Sequence, residues 1–151
     1  MRFEQTADLL GFVQQIHEEL AVAYVALAEQ VADRRNRMLL DYMAVREGAT
    51  AKWVGDYARD SGELALREFD PAILNMGQIR KRVENDLSAE SSTDEILDFG
   101  LEVQDWFLKL YETLLEKSKT PELKAVFKNL RDRTVKGKEK LARNANMLMD
   151  F

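Results

Sequence analysis

The chain has 151 residues, of which 46 % are hydrophobic, a net charge of −5 and 0 cysteines. This composition favours one compact, mostly helical domain over residues 1–151, and it excludes disulfides, thiolate metal sites and cysteine nucleophiles. The acidic net charge argues against nucleic acid as a partner. No apolar run approaches the roughly 18 residues of a membrane helix, and the first residues carry no secretory pattern. We therefore expect a cytoplasmic protein that binds neither nucleic acid nor membrane.

Two helices with a short link between them are predicted over about residues 6–59. Apolar residues recur in steps of three and four from about Thr6 to Ala32, which is the period of an amphipathic helix. Asp33 is a favourable N-cap for the second helix, and the segment 60–62 ends that helix with Asp, Ser and Gly. Because the link is so short, we expect the two helices to form an antiparallel hairpin.

A crossover of about residues 61–91 follows this hairpin. Asp70 and Pro71 have the residue types of an N-cap and a first helical position, and apolar residues follow them at helical spacing. We therefore predict a short helix inside the crossover. Its apolar stripe comprises Ile73, Met76, Ile79, Val83 and Leu87.

A second hairpin is predicted over about residues 92–148. Its first helix opens at Ser92, with Glu95 three residues later as the second member of a capping box. Its second helix opens at Thr120 and Pro121, where threonine is a good N-cap and a first-turn proline gives up no useful N–H group. Two short-linked hairpins joined by one long connection are typical of one class of four-helix bundle.

The two hairpins are related by a constant offset. Tyr24 and Tyr111 lie 87 positions apart, and one shift without gaps aligns residues 6–58 with residues 93–145. The same shift pairs Thr6 with Thr93, Leu10 with Leu97, Phe12 with Phe99, Leu27 with Leu114, and Glu29 with Glu116. We interpret the chain as one helical hairpin used twice.

Polar or small residues interrupt each apolar stripe near its centre. These positions are His17, Glu47, Thr50, Gln104, Thr134 and Gly137. The offset of 87 pairs them between the two hairpins, so we expect them to lie at one level of the fold. Tyr24 and Tyr111, two turns along their helices, would flank that level.

A buried carboxylate is costly unless it has a partner, and His17 on the adjacent helix is the obvious partner for Glu47. We therefore predict a buried polar network that contains this pair. The amide of Gln104 and the hydroxyl of Thr134 would extend the network, with Thr50 nearby. Gly137 would leave space beside it.

The spacing of these positions resembles the rubrerythrin-type branch of the ferritin-like family. In that branch a Glu precedes a Tyr by seven residues on two helices, and Glu-x-x-His lies on the other two. Here the seven-residue step is present as His17 to Tyr24 and as Gln104 to Tyr111. The Glu-x-x-His motif falls on residues 47–50 and 134–137, and the segment 120–123, with the sequence Thr-Pro-Glu-Leu, looks like the family's usual start of the fourth helix.

The resemblance implies an all-α, ferritin-like antiparallel four-helix bundle, built from two repeated helical hairpins joined by a long crossover that contains a short helix. Members of this family hold two iron or manganese ions with carboxylates and imidazoles. Of the six ligand positions, only Glu47 retains a family ligand type here. We therefore expect no metal cofactor and no catalytic residues. The favoured interpretation is a non-catalytic binding, structural or regulatory module that self-associates, as a dimer, or binds another protein.

Two alternatives stay open at this point. In the first, His17 and Glu47 bind one iron, manganese or zinc ion, with Glu18, Gln104 or water as a further ligand. A shift of one residue in the register would bring in Glu18 and its equivalent, Asp105, which with Glu47 would give three carboxylates for a pair of metal ions. In the second, a small molecule binds in space left beside Thr50, Thr134 and Gly137, which are small for their positions.

Overall fold

The computed structural model describes residues 6–60 and 78–149, and every regular element in these two ranges is a helix. The helices are α1 (Thr6–Gln30), α2 (Arg34–Asp60), α3 (Ile79–Asp86), α4 (Thr93–Lys117) and α5 (Pro121–Met149). The prediction of an all-α fold is confirmed for this part of the chain. None of the helices among the described residues has the length and apolar character needed to cross a membrane.

The chain divides into two compact units, the first of which ends at Ser92. In this first unit α1 packs along α2 and also contacts α3. The link between α1 and α2 is three residues, 31–33. Contacts between the two helices pair early positions of α1 with late positions of α2, since Gln14 lies against Gly55 while His17 lies against Glu47. The first two helices therefore form the antiparallel hairpin that the short link predicts.

The core of the first unit is formed by one face of each helix. The side chains on these faces recur at helical spacing, and each is less than a tenth exposed. They include Leu9, Leu10, Val13, Ile16, Leu20, Leu27, Leu39, Leu40, Met43, Val54, Ile79, Val83 and Leu87. Removal of these apolar side chains from water is the main source of the unit's stability.

The predicted starts of α2 and α5 are confirmed by their capping hydrogen bonds. The Asn36 backbone N–H donates to Oδ1 of Asp33 at 3.0 Å. The Leu123 backbone N–H donates to Oγ1 of Thr120 at 3.2 Å, with Pro121 in the first helical position. Each cap satisfies an N–H group that has no acceptor inside its own helix.

The predicted crossover helix corresponds to α3, which begins at Ile79. Ile79, Val83 and Leu87 are buried, as the predicted stripe requires. The start of α2 is attached to the segment after α3, because Nδ2 of the buried Asn36 donates to the Ser91 carbonyl oxygen at 3.0 Å. Other crossover predictions lie outside the described residues: the stop signal at Ser61 and Gly62, the cap Asp70 and Pro71, and the apolar positions Ile73 and Met76.

The second unit begins at Thr93 and consists of α4 and α5, which pack against each other. Their buried faces include Ile96, Phe99, Val103, Phe107, Leu110, Tyr111, Leu114, Leu123, Val126, Phe127, Leu130 and Leu141. On the surface, Nζ of Lys138 contacts Oδ1 of Asp105 at 2.5 Å and links the two helices. The link between them, residues 118–120, is again short.

The helix boundaries of the two units correspond. Helices α1 and α4 each contain 25 residues, from Thr6 and from Thr93. Helices α2 and α5 begin at Arg34 and Pro121. Both pairs of starting residues lie 87 positions apart, which is the offset found in the sequence.

Replacing glycine inside α1 and α2 provides a test of the hairpin packing. A Cβ added at Gly11 or Gly48 would have no atom within 4 Å, so Gly11→Ala and Gly48→Ala should each raise the free energy of unfolding by about 0.5–1 kcal/mol. At Gly55 the added Cβ would lie 2.6 Å from Nε2 of Gln14, so Gly55→Ala should gain less. Urea unfolding measures the free energy of unfolding of the three variants. If Gly55→Ala raised it as much as the other two, Gln14 would not be held against α2.

Candidate functional site: a buried histidine–glutamate pair

The centre of the first hairpin contains a histidine and a glutamate in direct contact. Nδ1 of His17, on α1, lies 2.5 Å from Oε2 of Glu47, on α2. An ionised carboxylate only accepts hydrogen bonds, so with Glu47 ionised the contact requires the tautomer of His17 that carries a proton on Nδ1. His17 is 3 % exposed and Glu47 is 6 % exposed. The structure therefore brings these two predicted residues together within the core.

The local sequence explains why both side chains point inward. His17 follows Val13 by four residues and precedes Leu20 by three, so it lies on the same buried face of α1 as these two. Glu47 follows Met43 by four residues on the buried face of α2. Each polar residue thus occupies a position where the helical period requires a core side chain. The pairing offsets part of the desolvation that this placement costs.

Tyr24 lies two turns beyond His17 on the same face of α1 and is 1 % exposed. Burial raises the pKa of the Tyr24 hydroxyl well above its ordinary value of 10.0, and the negative charge of Glu47 raises this pKa further. Each effect disfavours the phenolate, since a negative charge in this region would be poorly solvated and would also face an existing carboxylate. The site therefore combines one carboxylate, one imidazole and a phenol that stays protonated.

The other predicted positions are distributed over both units. Thr50 is half-buried and lies one turn after Glu47 in α2. In the second unit, Gln104 is half-buried and Gly137 is buried. The Thr134 hydroxyl donates to the Leu130 carbonyl oxygen at 2.8 Å, so its proton is used inside its own helix. The extension of the network through Gln104 and Thr134 stays a prediction.

Tyr111, the counterpart of Tyr24, is also buried. Its ring stacks on Phe107 in the same helix, with ring centroids 6.3 Å apart. The phenyl group of Phe107 occupies the position that corresponds to Leu20 in α1, so the second unit places more aromatic surface next to its tyrosine.

The residues of the register-shifted alternative lie on the surface. Glu18 is exposed and accepts a hydrogen bond from Gln14 at 3.3 Å. Asp105 is exposed and is paired with Lys138. Neither carboxylate belongs to the buried face of its helix.

The donor set around the pair does not fit the two metal ions of the ferritin-like family. Two dications need several anionic oxygens, whereas this site offers one buried carboxylate. That carboxylate and the imidazole already bond to each other through Oε2 and Nδ1. Within residues 6–60 and 78–149, no group of three or more His, Cys, Asp or Glu side chains is arranged to hold a metal ion. The described residues around the pair therefore do not supply a set of ligands for two metal ions.

One feature of the first unit was not predicted from the sequence. An open groove with a volume of about 500 Å³ lies between α1 and α3. Its apolar floor includes Ala23, Leu27 and Val83, and its rim carries Arg80 and Glu84. The available signal was the pair of alanines in α1, Ala23 and Ala26, whose small side chains leave room beside α3. Only the position of α3 shows that these alanines line a groove.

Comparison of the chain with protein-family models, with curated proteins and with solved structures gives no significant match.

A double-mutant cycle tests the buried pair. Glu47→Met and His17→Leu each leave one buried polar partner alone, so each should lower the free energy of unfolding by about 3–5 kcal/mol. The double variant should be much less destabilised than the sum of the two, because it leaves no uncompensated charge. Denaturant unfolding of the four proteins measures the coupling.

The matched control for this cycle is the exposed ion pair of Lys138 and Asp105 in the second unit. Exposed pairs couple by about 0–1 kcal/mol, so the same cycle with Lys138→Met and Asp105→Leu should give a small value. Additive effects at His17 and Glu47 would show that the contact contributes nothing to folding.

Alkaline titration tests the environment of Tyr24. Folding raises the Tyr24 pKa, so the protonated phenol favours the folded state at high pH. This contribution to the free energy of unfolding is complete below the unfolded pKa of about 10 and is lost as the pH rises toward the folded pKa. Above that pH the free energy of unfolding of the wild type should therefore decrease as the pH rises. In Tyr24→Phe this decrease should be less steep, by up to about 1.4 kcal/mol per pH unit. Tyr42→Phe, at a half-buried position, is the control variant.

The second cause of the Tyr24 shift is tested by Glu47→Gln. Tyrosinate absorbance should show a lower Tyr24 pKa in this variant, because the negative charge has been removed. The pKa should stay above its ordinary value, because burial is the larger cause. An unchanged titration curve would show that the charge of Glu47 does not reach the phenol.

Proposed function

We propose that this protein is a ferritin-like four-helix bundle in which a buried histidine–glutamate pair has replaced the dimetal centre, and that it acts as a non-catalytic binding module. The observation that carries this proposal is the contact between Nδ1 of His17 and Oε2 of Glu47. It lies at two of the three positions of the first hairpin where the family pattern would have metal ligands. The groups that would hold a metal bond to each other instead.

The correspondence of the two units supports the bundle. Besides the shared helix starts, equivalent positions at the offset of 87 are buried in both units. These pairs include Ile16 and Val103, Leu20 and Phe107, Tyr24 and Tyr111, Leu40 and Phe127, Met43 and Leu130, and Val54 and Leu141. A hairpin with a buried apolar face on both of its helices is half of a four-helix bundle, and a second hairpin of the same pattern supplies the other half.

The absence of catalysis in the proposal follows from the chemistry of the pair. A general base or a nucleophile must reach its substrate, and both His17 and Glu47 are almost completely buried. The imidazole and the carboxylate also satisfy each other, which lowers their availability for a reacting group. A protein without a reactive centre acts through its surfaces, so the relevant chemistry lies on the outer faces of the helices.

Metal content tests the proposal. Protein expressed with iron, manganese and zinc supplied, and purified without a metal-affinity step, should contain much less than one ion per chain by mass spectrometry. One or two ions per chain, lost in Glu47→Ala, would contradict the proposal and would support a metal site that uses His17 and Glu47.

A ligand-restoring variant serves as the positive control and tests the ferritin-like frame. It combines His17→Glu, Thr50→His, Gln104→Glu, Thr134→Glu and Gly137→His, with Glu47 retained. In a ferritin-like bundle these changes recreate four carboxylates and two imidazoles, so the variant should bind two Co²⁺ ions and develop their visible absorption. A folded variant that binds no Co²⁺ would contradict the proposed arrangement of the two hairpins.

A further inference from the structure

The outer face of α2 carries a line of apolar and aromatic side chains. We call this line the α2 seam. It consists of Met38, Tyr42, Val45, Ala49 and Trp53, at steps of four, three, four and four. Residues at these steps share one face of a helix, and this face is opposite the one that carries Leu40 and Glu47. The seam therefore does not belong to the core of the hairpin.

Large apolar side chains in the seam are in contact with solvent. Val45 is 71 % exposed and Met38 is 41 % exposed. Tyr42 and Trp53 are half-buried, and Trp53 stacks on Tyr57 with ring centroids 4.9 Å apart. Single exposed valines are common on protein surfaces, but an aligned row with two aromatic rings has the composition of a protein contact surface.

The charges at the start of α2 are unfavourable for an isolated helix. Arg34, Arg35 and Arg37 are all exposed and lie in its first four residues, and the first turn contains no acidic residue. The N-terminus of a helix carries a partial positive charge, so cations there are destabilising. Within residues 6–60 and 78–149, none of these three arginines forms an ion pair. Asp33, the N-cap residue, supplies one carboxylate against these three cations, so a further negative charge beside this end of α2 would relieve the remaining repulsion.

Two further charges fix the direction of a partner helix. Asp41 and Lys52 are exposed on the same flank of the seam, and neither has an ion pair among the described residues. When two identical helices pack antiparallel, equal flanks face each other. Asp41 of one copy then meets Lys52 of the second copy, and the same contact forms again across the two-fold axis. The axis passes close to Val45 and Ala49.

We propose that the α2 seam is the interface of a homodimer in which two copies of α2 pack antiparallel. This arrangement places the arginine-rich start of each α2 beside the carboxyl end of the other, where the helix has a partial negative charge. It pairs Asp41 with Lys52 twice, and it lets Val45 pack against the smaller Ala49. A parallel arrangement would place the arginines of both copies together and would leave Asp41 far from Lys52 of the second copy along the helix axis.

The size of the seam determines the strength of the dimer. Fifteen helical steps from Met38 to Trp53 span roughly 22 Å at 1.5 Å per residue. One helix pair of this length lies at the small end of specific interfaces, so the dimer should dissociate on dilution. The inference goes beyond the proposed function and does not depend on metal content, since a metal-loaded protein that dimerises through α2 would contradict only the proposed function.

Sedimentation of the full chain over a range of about 5–500 µM tests the dimer, because a weak dimer changes its population over such a range. The wild-type protein should pass from monomer toward dimer. Val45→Glu should raise the dissociation constant at least about tenfold, since it buries a carboxylate at the axis without a partner. Val22→Glu is the matched control, because Val22 is 51 % exposed on the outer face of α1, and it should leave the dissociation constant unchanged.

Charge reversal tests the direction of the two helices. Asp41→Lys and Lys52→Asp should each weaken the dimer, and the variant that carries both changes should regain wild-type affinity. The chain has 0 cysteines, so a single cysteine reports proximity to the axis. Ala49→Cys should form an intermolecular disulfide on oxidation, whereas Met38→Cys should not, because the two Met38 positions lie far apart in an antiparallel pair.

Several results would overturn the inference. A monomer at every concentration would do so, as would a dimer that Val45→Glu leaves intact while Val22→Glu disrupts it. A double charge-reversal variant no tighter than the single variants, or equal crosslinking at Met38 and Ala49, would overturn the antiparallel arrangement. All these substitutions are at exposed positions, and circular dichroism of each variant confirms that its helices are retained.

Discussion

The burial of the Glu47 carboxylate is the constraint on which the first unit depends. A charge at 6 % exposure is tolerated only if a partner donates to it, and His17 does so from the facing helix. This requirement fixes the register of α1 against α2, because a rotation or a slide of either helix would separate the two groups. The negative charge of Glu47 also adds to burial, the larger cause, in raising the pKa of the Tyr24 hydroxyl. One polar contact thus determines the register of a hairpin whose core is otherwise mostly apolar.

The two units obey the same helical pattern with different chemistry at their centres. The first contains the buried contact between His17 and Glu47. The second has Gln104 and Thr134 at the equivalent positions, and Thr134 satisfies its hydroxyl on the backbone of its own helix. Apolar burial is therefore common to both units, whereas the buried charge belongs to one. The positions that form the apolar faces are constrained by packing in both units, whereas the polar residues near their centres differ.

His17 and Glu47 contact each other inside the core. The side chains that another molecule could contact lie on the outer faces of the helices. The face of α2 opposite the core combines exposed apolar side chains with three arginines at the helix end where positive charge is least favourable. In an isolated hairpin the exposed apolar side chains and the three arginines do not stabilise the fold. In the proposed dimer, an antiparallel second helix would cover the apolar side chains and place its carboxyl end beside the arginines. The buried centre and the outer seam are thus two faces of one helix, with separate roles.

The sequence alone determined the helical class, the starts of α2 and α5 and the buried stripes, because helical periodicity and capping are local properties that neighbouring residues encode. It also indicated that His17 would partner Glu47, since a carboxylate on an apolar stripe needs a hydrogen-bonding partner. Only the tertiary structure decided that Glu18 and Asp105 face solvent and that a groove opens beside α3. Each of these depends on helix rotation and on distances between segments remote in sequence. A rotation of one residue moves a side chain by 100° around a helix, and residue spacing by itself does not fix that rotation against a neighbouring helix.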